Sequence, residues 1–178
     1  LGVLVSPLGV PCNAPPWGTL AALDLSARKL RWEVPLGTTA DLAPLGIALP
    51  WGMPNMGGPI ATAGGLIFIG AALDDSLRAF DSETGEELWS CSGNLREVIP
   101  TPVVGHGLVF CASGRAGPTL AIRPGGRGDV SGTHLEWKTT RGSPFVPSPI
   151  LYGDYLYQLN DMSSIITCLN AKTGETVW

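Results

Sequence analysis

Charge is scarce in this chain: 15% of its 178 residues are Asp, Glu, Lys or Arg, and 2 are His. The 11 basic residues are scattered and the net charge is −4, which leaves no basic stripe of the kind that follows a nucleic-acid backbone. No stretch approaches the roughly 18 continuous apolar residues of a membrane-spanning helix. Gly2-Val3-Leu4-Val5 is too short for the apolar core of a signal peptide. Sustained helical period is also missing, so no helix of any length is expected. The 4 cysteines, Cys12, Cys91, Cys111 and Cys168, include no CxxC for zinc and no CxxCH for haem. Four thiols permit three pairings, and the sequence does not choose among them. Cys111 and Cys168 fall on expected inner strands, where a thiol acts as a small apolar side chain. No Ser-His-Asp set is visible: His106 lies in a Gly-His-Gly turn and His134 beside a strand start, and both are expected to be exposed.

What the chain has in quantity is turns and repetition. Its 24 Gly and 16 Pro, with 44% hydrophobic residues, are the make-up of short strands joined by tight turns. A nine-residue phrase ending in tryptophan occurs three times, as Asp24-LSARKLR-Trp32, Asp81-SETGEEL-Trp89 and Asn170-AKTGETV-Trp178, and a stretched version runs from Arg123 to Trp137. Upstream of three of them stand Pro59-IATAGGLIF, Pro102-VVGHGLVF and Pro149-ILYGDYLY, each an apolar strand, a glycine-bearing turn and a second apolar strand. The third strand follows as Leu77-RAF, Thr119-LAI or Ile166-TCL, and the fourth closes on tryptophan. The spacing between tryptophans brackets the roughly 40 to 45 residues of a propeller blade, with insertions. The expected fold is therefore all-β: about four four-stranded antiparallel blades, over approximately residues 1–37, 53–93, 98–142 and 145–178. The first repeat lacks a leading strand, so the chain reads as a piece of a larger ring, which the remaining blades or a second copy would close.

The phrase itself has a physical logic. Asp81 and Asn170 accept backbone N–H bonds from residues just beyond them, and Gly85 and Gly174 supply positive φ. Ala27-Arg28-Lys29 replaces Thr-Gly-Glu in the first repeat, where a looser turn is expected. Trp32, Trp89 and Trp137 are expected to be largely buried against the following blade, and Trp178 to be more exposed. Asp74-Asp75 reads as a polar turn rather than a metal site, and Arg127-Gly128-Asp129 as part of a glycine-rich insert.

The blade phrase resembles that of the pyrroloquinoline quinone (PQQ) propellers. The strings Pro11-CNAPPWGTLAALDLSARKLRWEVPLGT and Leu49-PWGMPNMGGPIATAGGLIFIGAALDDSLRAFDSETGEELW resemble late blades of the membrane-type quinoprotein glucose dehydrogenases, a likeness covering residues 1–90. From Cys91 onward the chain resembles non-catalytic PQQ-like propellers related to an outer-membrane assembly lipoprotein. The first resemblance implies PQQ-dependent oxidation of an aldose such as glucose. It further implies Ca²⁺ or Mg²⁺ beside the quinone, electrons passed to ubiquinone, and a periplasmic or cell-envelope location, with a membrane reached only through a segment outside this chain. The second implies a non-enzymatic scaffold for protein partners. In the dehydrogenases the base and metal ligands come from other blades, so no catalytic or metal residue is placed here, and a complete active site is not expected of this stretch. The local cofactor-contacting candidates are Asn55, Met56, Gly57 and Gly58, which precede an innermost strand; Gly57-Gly58 would let a flat ring approach the main chain. Trp51 reads as a loop anchor.

Overall fold

The structure, a computed structural model, describes residues 11–39, 47, 49–70 and 72–178. Fourteen strands and no α-helix occur among the described residues. The first sheet pairs β1 (Thr19–Asp24) with β2 (Lys29–Pro35). The second runs from β3 (Ile60–Ala61) through β4 (Leu66–Ile69) and β5 (Leu77–Asp81) to β6 (Glu87–Cys91). The third orders β7 (Val103–Gly105), β8 (Leu108–Ala112), β9 (Thr119–Ile122) and, beyond β10 (Gly128–Asp129) in sequence, β11 (Leu135–Lys138). The fourth holds β12 (Ile150–Tyr152), β13 (Tyr155–Asn160) and β14 (Ile165–Asn170). Within each repeat successive strands pair antiparallel, and the sheets are consecutive blades of a β-propeller.

Four strands per blade is not uniformly met. The one strand expected ahead of β1, in a repeat without its leading strand, would fall at least partly on residues outside those described. In the fourth blade Thr176 forms one bridge to Leu169, Cys168 N donates to Trp178 O and Val177 N donates to Cys168 O, without a full strand. The second sheet gains a fifth member, because β10 from the third repeat's insert pairs parallel to β6, setting Gly128 opposite Trp89 and Asp129 opposite Ser90.

A bulge recurs one residue before three of the four closing tryptophans. Ala22 faces Trp32 and Leu23 faces Leu30; Ala79 faces Trp89 and Phe80 faces Glu87; Ala121 faces Trp137 and Ile122 faces Leu135. The extra residue, Arg31, Leu88 or Glu136, re-aims the tryptophan relative to its strand. The first repeat keeps this register despite its different turn. Arg28 occupies the left-handed position at φ 53° where Gly85 and Gly174 stand at 75° and 74°. Its turn is looser only in having one N–H, from Ala27, on Asp24 Oδ1, where Asp81 accepts from Glu83 and Thr84 and Asn170 from Lys172 and Thr173.

The core lies in slabs between blades. Leu20, Leu36, Met53, Ile69 and Phe80 pack between the first two. Phe68, Leu77, Trp89, Val109, Leu120 and Ile122 fill the next interface, and Phe110, Ala121, Leu156 and Leu169 the third. Two interfaces use one device. The indole N–H of Trp32 donates to Ser82 O at 3.1 Å, and that of Trp137 to Ala171 O at 3.0 Å, while each ring covers the turn glycine of the following blade. Trp89 differs. The insert lies over it, with Val130 in the same core cluster and Arg127 Nη1 reaching Glu86 Oε1 at 2.7 Å. Trp89 is therefore 1% exposed; Trp32 and Trp137 pack against the core clusters as expected but keep more of their surface open, because a turn covers less of a ring than an inserted strand does. Trp178 is 63% exposed.

Candidate functional site

The cofactor candidates lie on a strap that crosses from the first blade to the third. Residues 51–58 carry no regular strand, so their backbone groups are satisfied by neighbouring segments, as buried main chain requires. Trp17 N donates to Trp51 O at 2.9 Å, Met53 N to Leu36 O at 2.7 Å and Leu73 N to Pro54 O at 3.2 Å. Trp51 also meets Trp17 edge-on, with centroids 5.7 Å apart, which makes it the anchor of the strap's entry. Asn55 forms a backbone bridge to Ala72, and its Nδ2 donates to Thr19 O at 3.3 Å.

Glycine makes the crossing possible at three points. A β-carbon on Gly18 would stand 1.9 Å from Met53 O, and one on Gly52 would stand 2.1 Å from Gly18 O. At the far end a β-carbon on Gly57 would meet Ile99 O at 2.4 Å. Gly57 thus serves a backbone contact within the chain, while Gly58 meets only Thr101 Oγ1 at 3.4 Å. Asn55 and Met56 are exposed on the strap. A small cleft of about 200 Å³, lined by Pro15, Pro16, Pro35, Pro50 and Trp51, opens beside its entry.

A buried ion cluster stands directly after the strap's partner segment. Arg78 on β5 binds Asp74 through both terminal nitrogens, at 2.8 and 2.6 Å, with each side chain 5% exposed. Glu87 Oε2 lies 3.5 Å from Arg78 Nε. Asp74 also accepts the N–H of Thr38 at 3.3 Å, which ties the first blade's exit to the second blade. Burial works against the Arg78 charge, but the hydrogen bond and negative charge of Asp74 outweigh it and hold its pKa above the ordinary value. Burial raises Glu87 against the opposing pull of Arg78. From sequence alone Asp74 reads as part of a polar turn. The available signal was an arginine inside the apolar run Leu77-Arg78-Ala79-Phe80, which needs a partner when buried.

The remaining candidate groups are not arranged for chemistry. Cys91, Cys111 and Cys168 are buried and free, and Cys12 is exposed and free. Burial pushes the Cys111 thiol up to about 12 and raises Cys91 as well, the reverse of what a nucleophilic thiolate needs. His106 Nε2 lies 2.8 Å from Gly153 O on the neighbouring turn, and His134, half-buried rather than exposed, has Nδ1 2.7 Å from Thr133 Oγ1. In the Arg-Gly-Asp triplet, Arg127 is paired with Glu86 and Asp129 accepts from Ser131. Among the described residues no three His, Cys, Asp or Glu side chains cluster as metal ligands.

The glucose/ethanol/alcohol dehydrogenase β-propeller domain of the PQQ type matches residues 1–100. The chain belongs to this family. A probable quinate dehydrogenase (quinone) of Xanthomonas campestris pv. juglandis is 54% identical over 89 residues, 48% of this chain and 11% of the relative. The quinoprotein glucose dehydrogenase of Escherichia coli K12 is 43% identical over 93 residues, 50% and 12% of the two chains. A glycerol dehydrogenase large subunit of Gluconobacter thailandicus is 39% identical over 135 residues, 70% of this chain and 17% of that one. The glycerol dehydrogenase likeness reaches past the residues matched by the family. The chain spans between about a tenth and a fifth of the length of these relatives. Among solved structures, BamB from Moraxella catarrhalis has a TM-score of 0.58 at 18% identity, over 92% of this chain and 58% of that one. Quinohemoprotein alcohol dehydrogenase ADHIIG of Pseudomonas putida HK5 has 0.60 at 18%, over 93% and 31%. At such identity both likenesses bear on the propeller fold alone.

Proposed function

We propose that this chain forms part of the propeller of a PQQ-dependent dehydrogenase that oxidises a hydroxyl-bearing carbon of a small polyhydroxylated substrate, an aldose such as glucose, and passes electrons to ubiquinone. The match of residues 1–100 to the PQQ dehydrogenase propeller carries this reading. The names of the relatives, quinate, glucose and glycerol dehydrogenases, support a polyhydroxylated substrate class. In such an enzyme PQQ, with Ca²⁺ or Mg²⁺ at its carbonyl, supplies the acceptor for a hydride equivalent.

The part assigned to this chain is positioning. Asn55 and Met56, exposed on a strap fixed at both ends, fit a contact with a flat polar ring: the amide spends one N–H on Thr19 O and keeps its exposed face for a ligand. Gly57 lets the strap lie on Ile99, and Gly58 is the more open of the two glycines to a ligand. The base and metal ligands are assigned to other blades, consistent with a chain spanning 11 to 17% of its relatives. A periplasmic or cell-envelope site belongs to the same proposal. The second reading, a non-enzymatic propeller offering its faces to protein partners, is favoured by the exposed apolar side chains Ile150, Ile166 and Trp178.

Dye reduction by the longer gene product that carries this chain, given PQQ and Ca²⁺ or Mg²⁺, separates the two. Glucose, quinate and glycerol are assayed side by side. Substrate-dependent reduction that a chelator abolishes supports the dehydrogenase; a folded product that neither binds PQQ nor reduces dye with any of the three supports the scaffold.

A further inference from the structure

We infer that Arg115 is a carboxylate-binding subsite beside the strap, and that it makes the proposed dehydrogenase prefer a polyhydroxylated acid over a neutral sugar or polyol. The inference rests on the dehydrogenase reading and narrows its substrate class. One short segment carries two loops. A β-carbon on Gly57, at the strap's far end, would stand 2.4 Å from Ile99 O and 2.9 Å from Val98 O. A β-carbon on Gly114 would stand 2.2 Å from Glu97 O. Glu97, Val98 and Ile99 are consecutive, and two steps of chain span at most about 7 Å. The β8–β9 loop bearing Arg115 therefore adjoins the strap bearing Asn55 and Met56.

That loop is held in one conformation. Gly114, Arg115 and Ala116 are successively left-handed, with φ of 71°, 44° and 55°. Two non-glycine residues persist there only where their surroundings fix them. Gly117 N donates to Gly114 O and Gly142 N to Ala116 O, both at 2.9 Å, and Ser143 N donates to Gly117 O at 3.1 Å. The side chain is positioned as well. Arg115 Nε donates to Glu97 Oε2, and Arg115 Cζ lies 5.4 Å from the centroid of the Phe145 ring.

Arg115 differs from other paired arginines in the end it leaves open. Arg78, Arg123 and Arg127 each spend a terminal nitrogen on a carboxylate. Arg115 is tied through Nε, its side chain is 60% exposed, and among the described residues neither terminal nitrogen has a hydrogen-bond partner. Two parallel N–H bonds from that fork match the two oxygens of a carboxylate. Holding the guanidinium in place beforehand reduces the entropy lost on binding. Glu97 offsets the charge of Arg115, so recognition depends on the two directed bonds more than on long-range attraction. A neutral polyol offers no planar pair of oxygens to the fork.

Steady-state dye reduction by the longer gene product that carries this chain, loaded with PQQ and Ca²⁺ or Mg²⁺, tests this on quinate, glucose and glycerol. Parent, Arg115→Gln and Arg115→Lys are compared, with calorimetric binding of quinate as a second readout and Tm as the check on folding. The parent is expected to show its highest kcat/KM with quinate. Arg115→Gln should raise the KM for quinate about tenfold or more at little change in kcat and weaken quinate binding in step, while glucose and glycerol stay within about twofold. Arg115→Lys should recover part of the loss, as a point charge without the fork. A parent with no preference for quinate, or an Arg115→Gln variant that keeps the parent's preference, overturns the inference. Equal losses on all three substrates overturn it too, and a parallel fall in PQQ affinity would then assign Arg115 to the quinone's own carboxylates. If the folded parent reduces dye with none of the three, the dehydrogenase reading fails separately and calorimetry decides the subsite. Quinate bound by the parent and not by Arg115→Gln upholds it; no quinate bound by the parent overturns it.

Discussion

The α-carbon of Gly85 lies so close to the indole of Trp32 that a β-carbon built on it would stand 2.7 Å from both Cδ2 and Cε3. Gly174 stands in the same relation to Trp137, at 2.6 and 2.7 Å. In each case one residue meets two demands, a left-handed turn and a surface bare enough to take a ring, and no other residue type meets both.

Alanine at Gly85 or Gly174 should therefore cost about 1 to 3 kcal/mol from backbone strain, with a further loss from displacing the ring. Gly153 is the control. It also has positive φ, 57°, but nothing lies within 4 Å of its would-be β-carbon. Urea unfolding of the three variants should place Gly153→Ala above both others in stability. Equal losses would show that the ring yields freely.

The tryptophans should differ in worth. Trp89, 1% exposed under the insert, should cost roughly 3 to 5 kcal/mol when cut to alanine. Trp32, half-buried on a turn, should cost less. A loss below about 1 kcal/mol at Trp89 would mean that the insert, not the ring, closes that interface.

Asp81 makes a pH-dependent contribution. The N–H of Thr84, then that of Glu83 and the Thr84 hydroxyl, hold its carboxyl below the usual carboxylate range. A lowered folded value stabilises the native state above the unfolded pKa of about 3.9 and loses that contribution as pH falls through the folded value. Asn170 occupies the same place in the fourth repeat and accepts Lys172 N and Thr173 N through Oδ1, so an amide suits the turn. The Tm advantage of the parent over Asp81→Asn should accordingly shrink toward acid and be steady near neutrality. An advantage that grows on acidification would reverse the assigned sign.

Breaking the buried pair should be costly. Asp74→Asn leaves Arg78 charged and buried without its bidentate partner, a loss of about 3 to 5 kcal/mol in chemical denaturation. Replacing both residues by apolar ones should cost less than the sum of the singles. Strict additivity would show that the two side chains act independently.

The elements legible in the sequence are those built from local chemistry. Asp81, Gly85 and Trp89 announce a turn and a blade edge because an Asx-type acceptor, a left-handed residue and a closing ring act within nine residues. The strand pairs around Ile60, Val103 and Ile150 follow from apolar runs separated by glycine-bearing turns. The pairing of β10 with β6 could not be read, since two residues, Gly128 and Asp129, carry no period and their partner belongs to another repeat. At the strap, the Gly57-Gly58 pair is legible in the sequence and the crossing of Gly18 and Gly52 is not, because close approach of two main chains leaves no pattern beyond a lone glycine in each. The Asp74–Arg78 pair needed burial to be known before the charge acquired meaning.

Quinone binding by the 178-residue chain itself tests most directly the claim that it is one wall of a shared site. The chain is titrated with PQQ in the presence of Ca²⁺ or Mg²⁺, and then offered glucose and a dye acceptor, with hydrogen-exchange protection at Trp89 as the check that it is folded. The account predicts weak binding at most and no glucose-dependent dye reduction, because base, metal and strap must converge on one quinone. Stoichiometric binding with glucose-dependent reduction, abolished by chelator and restored by metal, would contradict it.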